Sequence, residues 1–98
     1  MSENFKNIDQ LRLANQAQGQ GFFEKTGQDH ACTRVETYLL GHLYFVTSEL
    51  LPDDATTRDR RYTIRRANPD ATIETVGEYQ AYNSILQAQK FIYQLLNS

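Results

Sequence analysis

The feature that most constrains the fold is a change of composition between Thr33 and Tyr79, where β-branched and aromatic residues dominate. Such residues favour extended strands, because their side chains pack well on a pleated surface. Turn-forming residues divide this stretch at Gly41 and at the segments "LPDDATTRD" and "ANPD". The pattern therefore predicts four antiparallel strands in a meander: "TRVETYLL", "HLYFVTSEL", "RRYTIRR" and "ATIETVGEY".

The alternation of side chains along these strands predicts which of them face the core. In the second strand both faces carry apolar residues, so we expect it near the centre of the sheet. In the third strand Tyr62 and Ile64 share one face, which we expect to be buried. Asn68 and Pro69 suit the first two positions of a type I turn into the fourth strand.

Two amphipathic helices flank the predicted strands. The first is predicted from about Glu3 to Ala17 and ends at the glycines of "NQAQGQG". The second runs from Asn83 to Leu96, and Ser84 and Gln87 have the spacing of a capping box. Its predicted apolar stripe is Ile85, Ala88, Ile92, Leu95 and Leu96, with Leu86 and Phe91 beside it; that of the first helix is Phe5, Ile8, Leu11, Leu13, Ala14 and Ala17.

These elements predict one α+β domain over residues 1–98, in the order α-β-β-β-β-α. Residues 1–20 are the N-terminal helix with a Gly/Gln-rich connector, residues 33–79 the sheet, and residues 83–96 the C-terminal helix. We expect that last helix to cover one face of the four-stranded sheet. Phe22 and Phe23 are expected to be buried, in a segment that otherwise resembles a loop or a short helical turn.

The segment "RDRRYTIRRANPD" holds five of the chain's seven arginines and allows two interpretations. In the first, which we favour, Arg61 and Arg65 point outward from the sheet. The carboxylates of Glu74 and Glu78 on the next strand then pair with them across the outer face. Such exposed pairs contribute about 0–1 kcal/mol each, so both arginines would be dispensable for folding.

In the second interpretation the arginines contact a phosphate or an acidic protein surface. Tyr44 or Tyr62 would then be available for stacking. The aspartates nearby weaken the positive field, and a net charge of −2 excludes a general polyanion binder. The candidate partner-binding residues are Arg58, Arg61, Arg65, Asp53, Asp54 and Tyr44.

Metal and catalytic sites are not expected. Asp29, His30, Cys32 and His42 could be drawn together as ligands, but their spacing matches no strong zinc pattern. No glycine-rich nucleophile turn or phosphate loop accompanies the single cysteine, which we expect to act as a small apolar residue. We therefore predict no catalytic residue, no metal, no cofactor and no enzymatic activity.

Cysteine usage and hydropathy also bear on localisation. A single cysteine cannot form an internal disulfide, so a reducing compartment, the cytoplasm, is expected. No apolar run approaches the roughly 20 residues that a helix needs to cross a bilayer. We therefore expect no membrane association.

The motifs "YFVTSE", "RRYTIRR" and "IETVGEYQAY", which follow "GFFEK", resemble a group of short uncharacterised proteins carried by phages and other mobile elements. The likeness covers about residues 21–95 and leaves out the N-terminal helix. The segment "TGQDHAC" departs from that group, which is more apolar there. The resemblance implies a mobile-element origin and a non-enzymatic accessory role, and it brings no established catalytic residues.

Two functions remain open from the sequence. The domain is either a protein-interaction module, an inhibitor or adaptor that binds a host or phage protein, or a nucleic-acid binder that uses strand 58–66. A homodimer through an exposed sheet edge or the N-terminal helix is compatible with either function.

Overall fold

The computed structural model describes residues 5–25, 33–50 and 60–97. They form three helices and one four-stranded sheet, in the order helix, short helix, four strands, helix. This confirms the predicted α-β-β-β-β-α architecture. The elements are α1 (Ile8–Ala17), α2 (Phe22–Lys25), β1 (Arg34–Val35), β2 (Tyr44–Leu50), β3 (Arg60–Ala67), β4 (Ile73–Val76) and α3 (Ile85–Leu96).

The strands are antiparallel and follow each other in the order β1-β2-β3-β4, as in a meander. The longest pairing joins β2 to β3 and runs from Tyr44 opposite Arg66 to Leu50 opposite Arg60. In β2, six consecutive residues from Tyr44 to Glu49 are buried. The expectation of a central second strand is therefore confirmed.

One face of the sheet, here called the α3 face, packs against α3. Its centre is Val46 opposite Ile64, and both side chains are fully buried together with Ala88 and Ile92 of the helix. Tyr62 packs at the edge of this cluster, so the predicted inward direction of Tyr62 and Ile64 is confirmed.

The opposite face, here called the α1 face, is also covered. Phe45 is fully buried there and packs in one cluster with Leu11 of α1. The ring of Phe45 lies 6.2 Å from that of Phe22 and 5.9 Å from that of Phe23. The short helix α2 thus places its two aromatic residues against the sheet, as the sequence predicts.

Both long helices begin with the same local arrangement. The Ser84 hydroxyl accepts from the Gln87 N–H at 3.1 Å, while the Gln87 side chain accepts from the Asn83 N–H at 2.8 Å. Asn7 and Gln10 repeat this at the start of α1, with Asn7 Oδ1 accepting from the Gln10 N–H at 2.8 Å. These bonds satisfy N–H groups that have no partner inside a helix.

Several helix details differ from the sequence prediction. Helix α1 begins at Ile8 because Asn7 is its N-cap, so Phe5 lies outside the helix although it is buried. The predicted start at Glu3 lies outside the described residues. Leu13 is 65% exposed and Leu86 is 76% exposed, which places both away from the core. Periodicity alone gave each helix a stripe wider than the surface it covers.

The first and fourth strands are shorter than predicted. After β1 the Thr37 hydroxyl, at 2.9 Å, accepts the Val46 N–H that a longer strand would have bonded through its backbone. Strand β4 ends at Val76 because Gly77 has a φ of +75° and turns the chain over the α1 face. Beyond the strand ends, Leu40 forms an isolated bridge with Tyr44 and Tyr82 forms one with Tyr62 of β3.

Both described turns between antiparallel strands contain residues with a left-handed backbone conformation. At the β1–β2 turn both Gly41 and His42 have positive φ, as a type I′ turn requires. A Cβ at Gly41 would lie 2.6 Å from Leu96 Cδ2, so glycine also permits the close approach of α3. At the β3–β4 turn the Ala71 N–H donates to the Asn68 carbonyl at 2.8 Å, which agrees with Asn68 in the first turn position.

Ile92→Ala tests the packing of α3. Ile92 is fully buried against the α3 face, so the truncation should lower the free energy of unfolding by about 2–5 kcal/mol. Urea denaturation of the variant measures this loss. Leu86→Ala, in the same helix but 76% exposed, is the control and should change stability by less than about 0.5 kcal/mol. Equal effects of the two changes would contradict the observed helix orientation.

A second prediction concerns pH and the β3–β4 turn. The Thr72 hydroxyl and the Thr72 N–H both donate to Asp70 Oδ1, and these bonds hold the pKa of Asp70 below the ordinary value of an aspartate. A carboxyl whose pKa is lowered by folding stabilises the fold above its unfolded pKa, and the contribution is lost as pH falls through its folded pKa. Titration by NMR should show the lowered pKa, and Thr72→Val should raise it. An unchanged pKa in Thr72→Val would contradict this assignment.

Candidate functional site

The predicted partner-binding residues do not form one site in the structure. Asp53, Asp54 and Arg58 lie outside the described residues. Tyr44 is 9% exposed and belongs to the core under α3, so it is not available for stacking as the sequence analysis expected. Tyr44 is an inward-facing member of a strand that is buried on both faces. Arg61 and Arg65 do lie together on the α1 face.

The centre of the polar half of the α1 face is the carboxylate of Glu49, which has no exposed surface. Thr63 Oγ1 donates to its Oε1 at 2.7 Å, and Thr47 Oγ1 donates to its Oε2 at 2.7 Å. Arg65 Nη2 lies 3.0 Å from the same Oε2. Both carboxylate oxygens are therefore satisfied, as a buried charge requires.

Arg65 uses three of its nitrogen atoms within this cluster. In addition to Glu49, its Nε donates to Thr47 Oγ1 at 2.9 Å and its Nη1 donates to Thr75 Oγ1 at 2.6 Å. The guanidinium also lies between two aromatic rings, 5.6 Å from the centroid of Phe22 and 5.5 Å from that of Tyr79. These distances are within the range of cation–π contacts.

The cluster is closed from above by the segment that follows β4. The Gln80 N–H donates to Thr63 Oγ1 at 2.9 Å, and the Gln80 side chain donates to the Leu50 carbonyl at 3.1 Å. Gln80 has a φ of +58°, so the segment holds a left-handed turn at the point of contact. Tyr79, which is 51% exposed, covers Arg65 with one side of its ring.

Two expectations about the arginine strand are thus wrong. The Arg65 side chain is only 11% exposed and belongs to the interior network, so it is not a free contact residue. Its carboxylate partner is Glu49, not Glu74 or Glu78. Glu74 lies opposite Arg66, on the α3 face, and Glu78 lies beyond the end of β4. The strand register therefore places Glu74 and Glu78 away from Arg65, although the alternation of side chains in the sequence predicted that they would pair with it.

The role of Glu49 was not predicted from the sequence, although a signal for it exists. Glu49 and Thr47 share parity with Phe45, and the register places Thr47 opposite Thr63. A carboxylate in a strand buried on both faces needs a cation on the same face. Arg65 shares the face of Thr63, so it could have been named from the register of β2 and β3.

Arg61 differs from Arg65 although both point to the α1 face. It lies directly opposite Glu49 in the strand pair, and its side chain is half-buried. The Glu49 carboxylate bonds Thr47, Thr63 and Arg65, and not Arg61. Within the described residues its guanidinium makes no hydrogen bond or ion pair.

A second polar group occupies the other side of β2. Ser48 is fully buried, and its hydroxyl donates to Glu36 Oε2 at 2.6 Å and accepts from Arg60 Nε at 2.7 Å. Arg60 Nη2 also donates to the Ser48 carbonyl at 2.9 Å. Arg60 is thus a structural residue at the margin of the α3 face, as its parity with Tyr62 predicts.

The described residues form no metal site. Over residues 5–25, 33–50 and 60–97, no three His, Cys, Asp or Glu side chains are placed so that they could hold a metal ion. Of the four residues considered as ligands, Asp29, His30 and Cys32 lie outside this part of the chain. The fourth, His42, has its Nδ1 2.9 Å from the Phe5 carbonyl oxygen.

Comparison with known proteins gives one positive result. The model of a family of unknown function (DUF7447) matches residues 7–93, which is most of the chain. The chain belongs to DUF7447. The match begins at residue 7, so DUF7447 includes α1, which the resemblance seen in the sequence left out. Neither the curated proteins nor the solved structures include a match. Among the described helices, none has the length and apolar composition needed to span a bilayer.

Glu49→Gln tests the buried network. The change keeps the shape of the side chain, but it removes the charge that Arg65 pairs with and places donors beside the Thr hydroxyls. Breaking a buried pair in this way should lower the free energy of unfolding by about 3–5 kcal/mol. Urea denaturation measures the loss, with Glu74→Gln, an exposed carboxylate in β4, as the control. A loss below about 0.5 kcal/mol for Glu49→Gln would contradict the network's structural role.

Proposed function

We propose that this protein is a non-enzymatic accessory protein that binds a protein partner through the α1 face of its sheet. It acts in the cytoplasm as an inhibitor or adaptor, and it originates from a phage or another mobile element. The origin rests on the resemblance of its strand motifs to mobile-element proteins. The binding role rests on one observation at Arg61.

That observation is the unpaired charge of Arg61. A half-buried guanidinium has lost part of its hydration, and within the described chain it gains no hydrogen bond in return. Its strand neighbour Glu49 does not supply one, because the Glu49 carboxylate bonds Thr47, Thr63 and Arg65 instead. A carboxylate from a partner protein would complete this position with charge-assisted, bidentate hydrogen bonds.

The surroundings of Arg61 favour a protein partner. The Glu49–Arg65 pair is neutral as a whole, so the described part of this face presents one unpaired cation rather than a track of positive charge. A nucleic-acid groove places several cations along the phosphate backbone. Exposed Tyr79 lies over Arg65, about 13 Å along β3 from Arg61 by the rise of a strand, and an aromatic ring of this kind is typical of protein contact surfaces.

One observation favours the alternative, which is binding of single-stranded nucleic acid. Tyr79 is an aromatic residue beside the arginine strand, and 51% of its surface is exposed. A base could stack on its exposed ring surface while Arg61 contacts a phosphate. Salt dependence distinguishes the two functions, because phosphate contacts release counterions and lose affinity steeply with added salt.

Arg61→Ala tests the proposed contact. The variant should fold with a melting temperature within a few degrees of the wild type, because it breaks no internal bond in the described structure. It should weaken binding of the partner at least about tenfold, which corresponds to 1.4 kcal/mol. Arg34→Ala, which removes an exposed arginine from β1, is the matched charge control and should bind as the wild type does.

The measurement begins with affinity capture from host lysate by the three proteins in parallel, and the dissociation constant of each captured protein then follows by calorimetry. A partner that the wild type and Arg34→Ala retain and Arg61→Ala loses supports the proposal. If Arg61→Ala binds every captured protein as tightly as the wild type does, the proposal is overturned. Steeply salt-dependent binding of a labelled single-stranded oligonucleotide, lost in Tyr79→Ala, would establish the alternative instead.

A further inference from the structure

Strand β4 is the last strand of the sheet, so one side of its backbone faces away from β3. The Asn68 N–H donates to the Thr72 carbonyl at 2.9 Å, which shows that Thr72 faces β3. Because hydrogen-bonding directions alternate along a strand, Ile73 and Thr75 face outward. Outward backbone groups on an edge strand are a place where a strand of another chain can pair.

At Ile73 these outward groups are occupied by a side chain from outside the sheet. Gln20 Oε1 accepts from the Ile73 N–H at 2.9 Å, and Gln20 Nε2 donates to the Ile73 carbonyl at 3.4 Å. One side-chain amide thus takes both positions that the backbone of a neighbouring strand would take. Gln20 imitates a strand residue at this edge.

The buried side chain of Asn15 holds Gln20 in this position. Asn15 Nδ2 donates to Gln20 Oε1 and also to the Ala71 carbonyl at 2.7 Å, and Asn15 Oδ1 accepts from the Phe22 N–H at 2.9 Å. Asn15 has no exposed surface. The side chain therefore joins the end of α1, the start of α2 and the turn before β4 at the point where Gln20 meets the edge.

The other edge strand, β1, is only two residues long, and the chain that follows it continues to bond β2. The Glu36 N–H donates to the Val46 carbonyl at 2.8 Å, and the Thr37 hydroxyl accepts from the Val46 N–H. On β4, by contrast, no described residue bonds the outward N–H and C=O of Thr75. The outward backbone groups of β4 are thus bonded at Ile73 and, among the described residues, not bonded at Thr75, two residues further along.

The strand that fits this edge is β4 of a second copy. With Thr75 opposite Thr75 in an antiparallel pair, Glu74 faces Val76 and Ile73 faces Gly77, so no like charges are opposed. A pairing of this kind is symmetric about one two-fold axis and closes as a dimer. Gln20 excludes it, because the Ile73 end of the register is already occupied.

We propose that Gln20 is an edge cap that keeps β4 from pairing with β4 of a second copy, and that Asn15 positions this cap. The proposal concerns the β4 edge, and it is independent of the contact at Arg61. It assigns a role to Asn15 and Gln20, two polar residues near the end of α1. They do not contribute to the Glu49 network, and they are not part of the proposed contact at Arg61.

Gln20→Ala is the direct test. The variant should self-associate at least tenfold more tightly than the wild type in sedimentation equilibrium, and the Thr75 amide should become protected from hydrogen exchange in the associated form. Gln18→Ala removes an exposed glutamine from the same helix end and should behave as the wild type. Gln20→Glu keeps an acceptor for the Ile73 N–H and adds a charge at the edge, so it should remain monomeric.

A second variant shows whether the association uses the β4 edge. Adding Thr75→Pro to Gln20→Ala removes the outward N–H and keeps the backbone hydrogen bonds to β3, although it also removes the hydroxyl that accepts from Arg65 Nη1, and it should restore the monomer. A Gln20→Ala protein that stays monomeric, or one that associates regardless of Thr75→Pro, overturns the proposal. If Gln20→Ala does not fold, the wild type decides: its Ile73 amide should exchange more slowly than its Thr75 amide, and equal rates overturn the cap.

Discussion

The buried carboxylate of Glu49 is the constraint on which the rest of the sheet depends. A charge without exposed surface is costly unless it is paired and hydrogen-bonded, and here the partners are Thr47 in β2 and Thr63 and Arg65 in β3. A shift of the β2–β3 register by one residue would move Glu49 to the α3 face, away from Thr63 and Arg65 of β3. The network thus makes one register far more favourable than its neighbours.

The same network determines how the second layer is arranged. The planar guanidinium of Arg65 contacts two aromatic rings, that of Phe22 in α2 and that of Tyr79 in the segment after β4. The α1 face is therefore divided: an apolar part around Phe45 lies under α1 and α2, and a polar part around Glu49 lies under Tyr79 and Gln80. On the α3 face Val46, Ile64 and Ile92 pack as an apolar core, and the polar group around Ser48 and Arg60 lies at its margin.

This contrast explains what the sequence predicts well and what it does not. Alternation along β3 correctly places Tyr62 and Ile64, and helical periodicity places Ile92, because each depends on neighbours a few residues away. Arg61 and Arg65 look identical by these rules, with the same residue type and the same parity. Their environments differ because Phe22 and Tyr79, distant in sequence, cover one and not the other. Glu49 is a local signal of a buried ion pair, but the cation that it pairs with depends on the β2–β3 register.

The different environments of Arg61 and Arg65 also determine how much positive charge the α1 face carries. Five arginines in thirteen residues suggest a strongly basic strand, yet Arg65 is neutralised by Glu49 and Arg60 bonds to buried Ser48. What remains on the α1 face of the described strand is the single charge of Arg61. A surface with one unsatisfied guanidinium beside a neutral, rigid network selects for one well-placed anionic group. Under the proposed function, a carboxylate on a folded protein would meet this requirement more readily than a chain of phosphates, whose other charges would meet a protein of net charge −2.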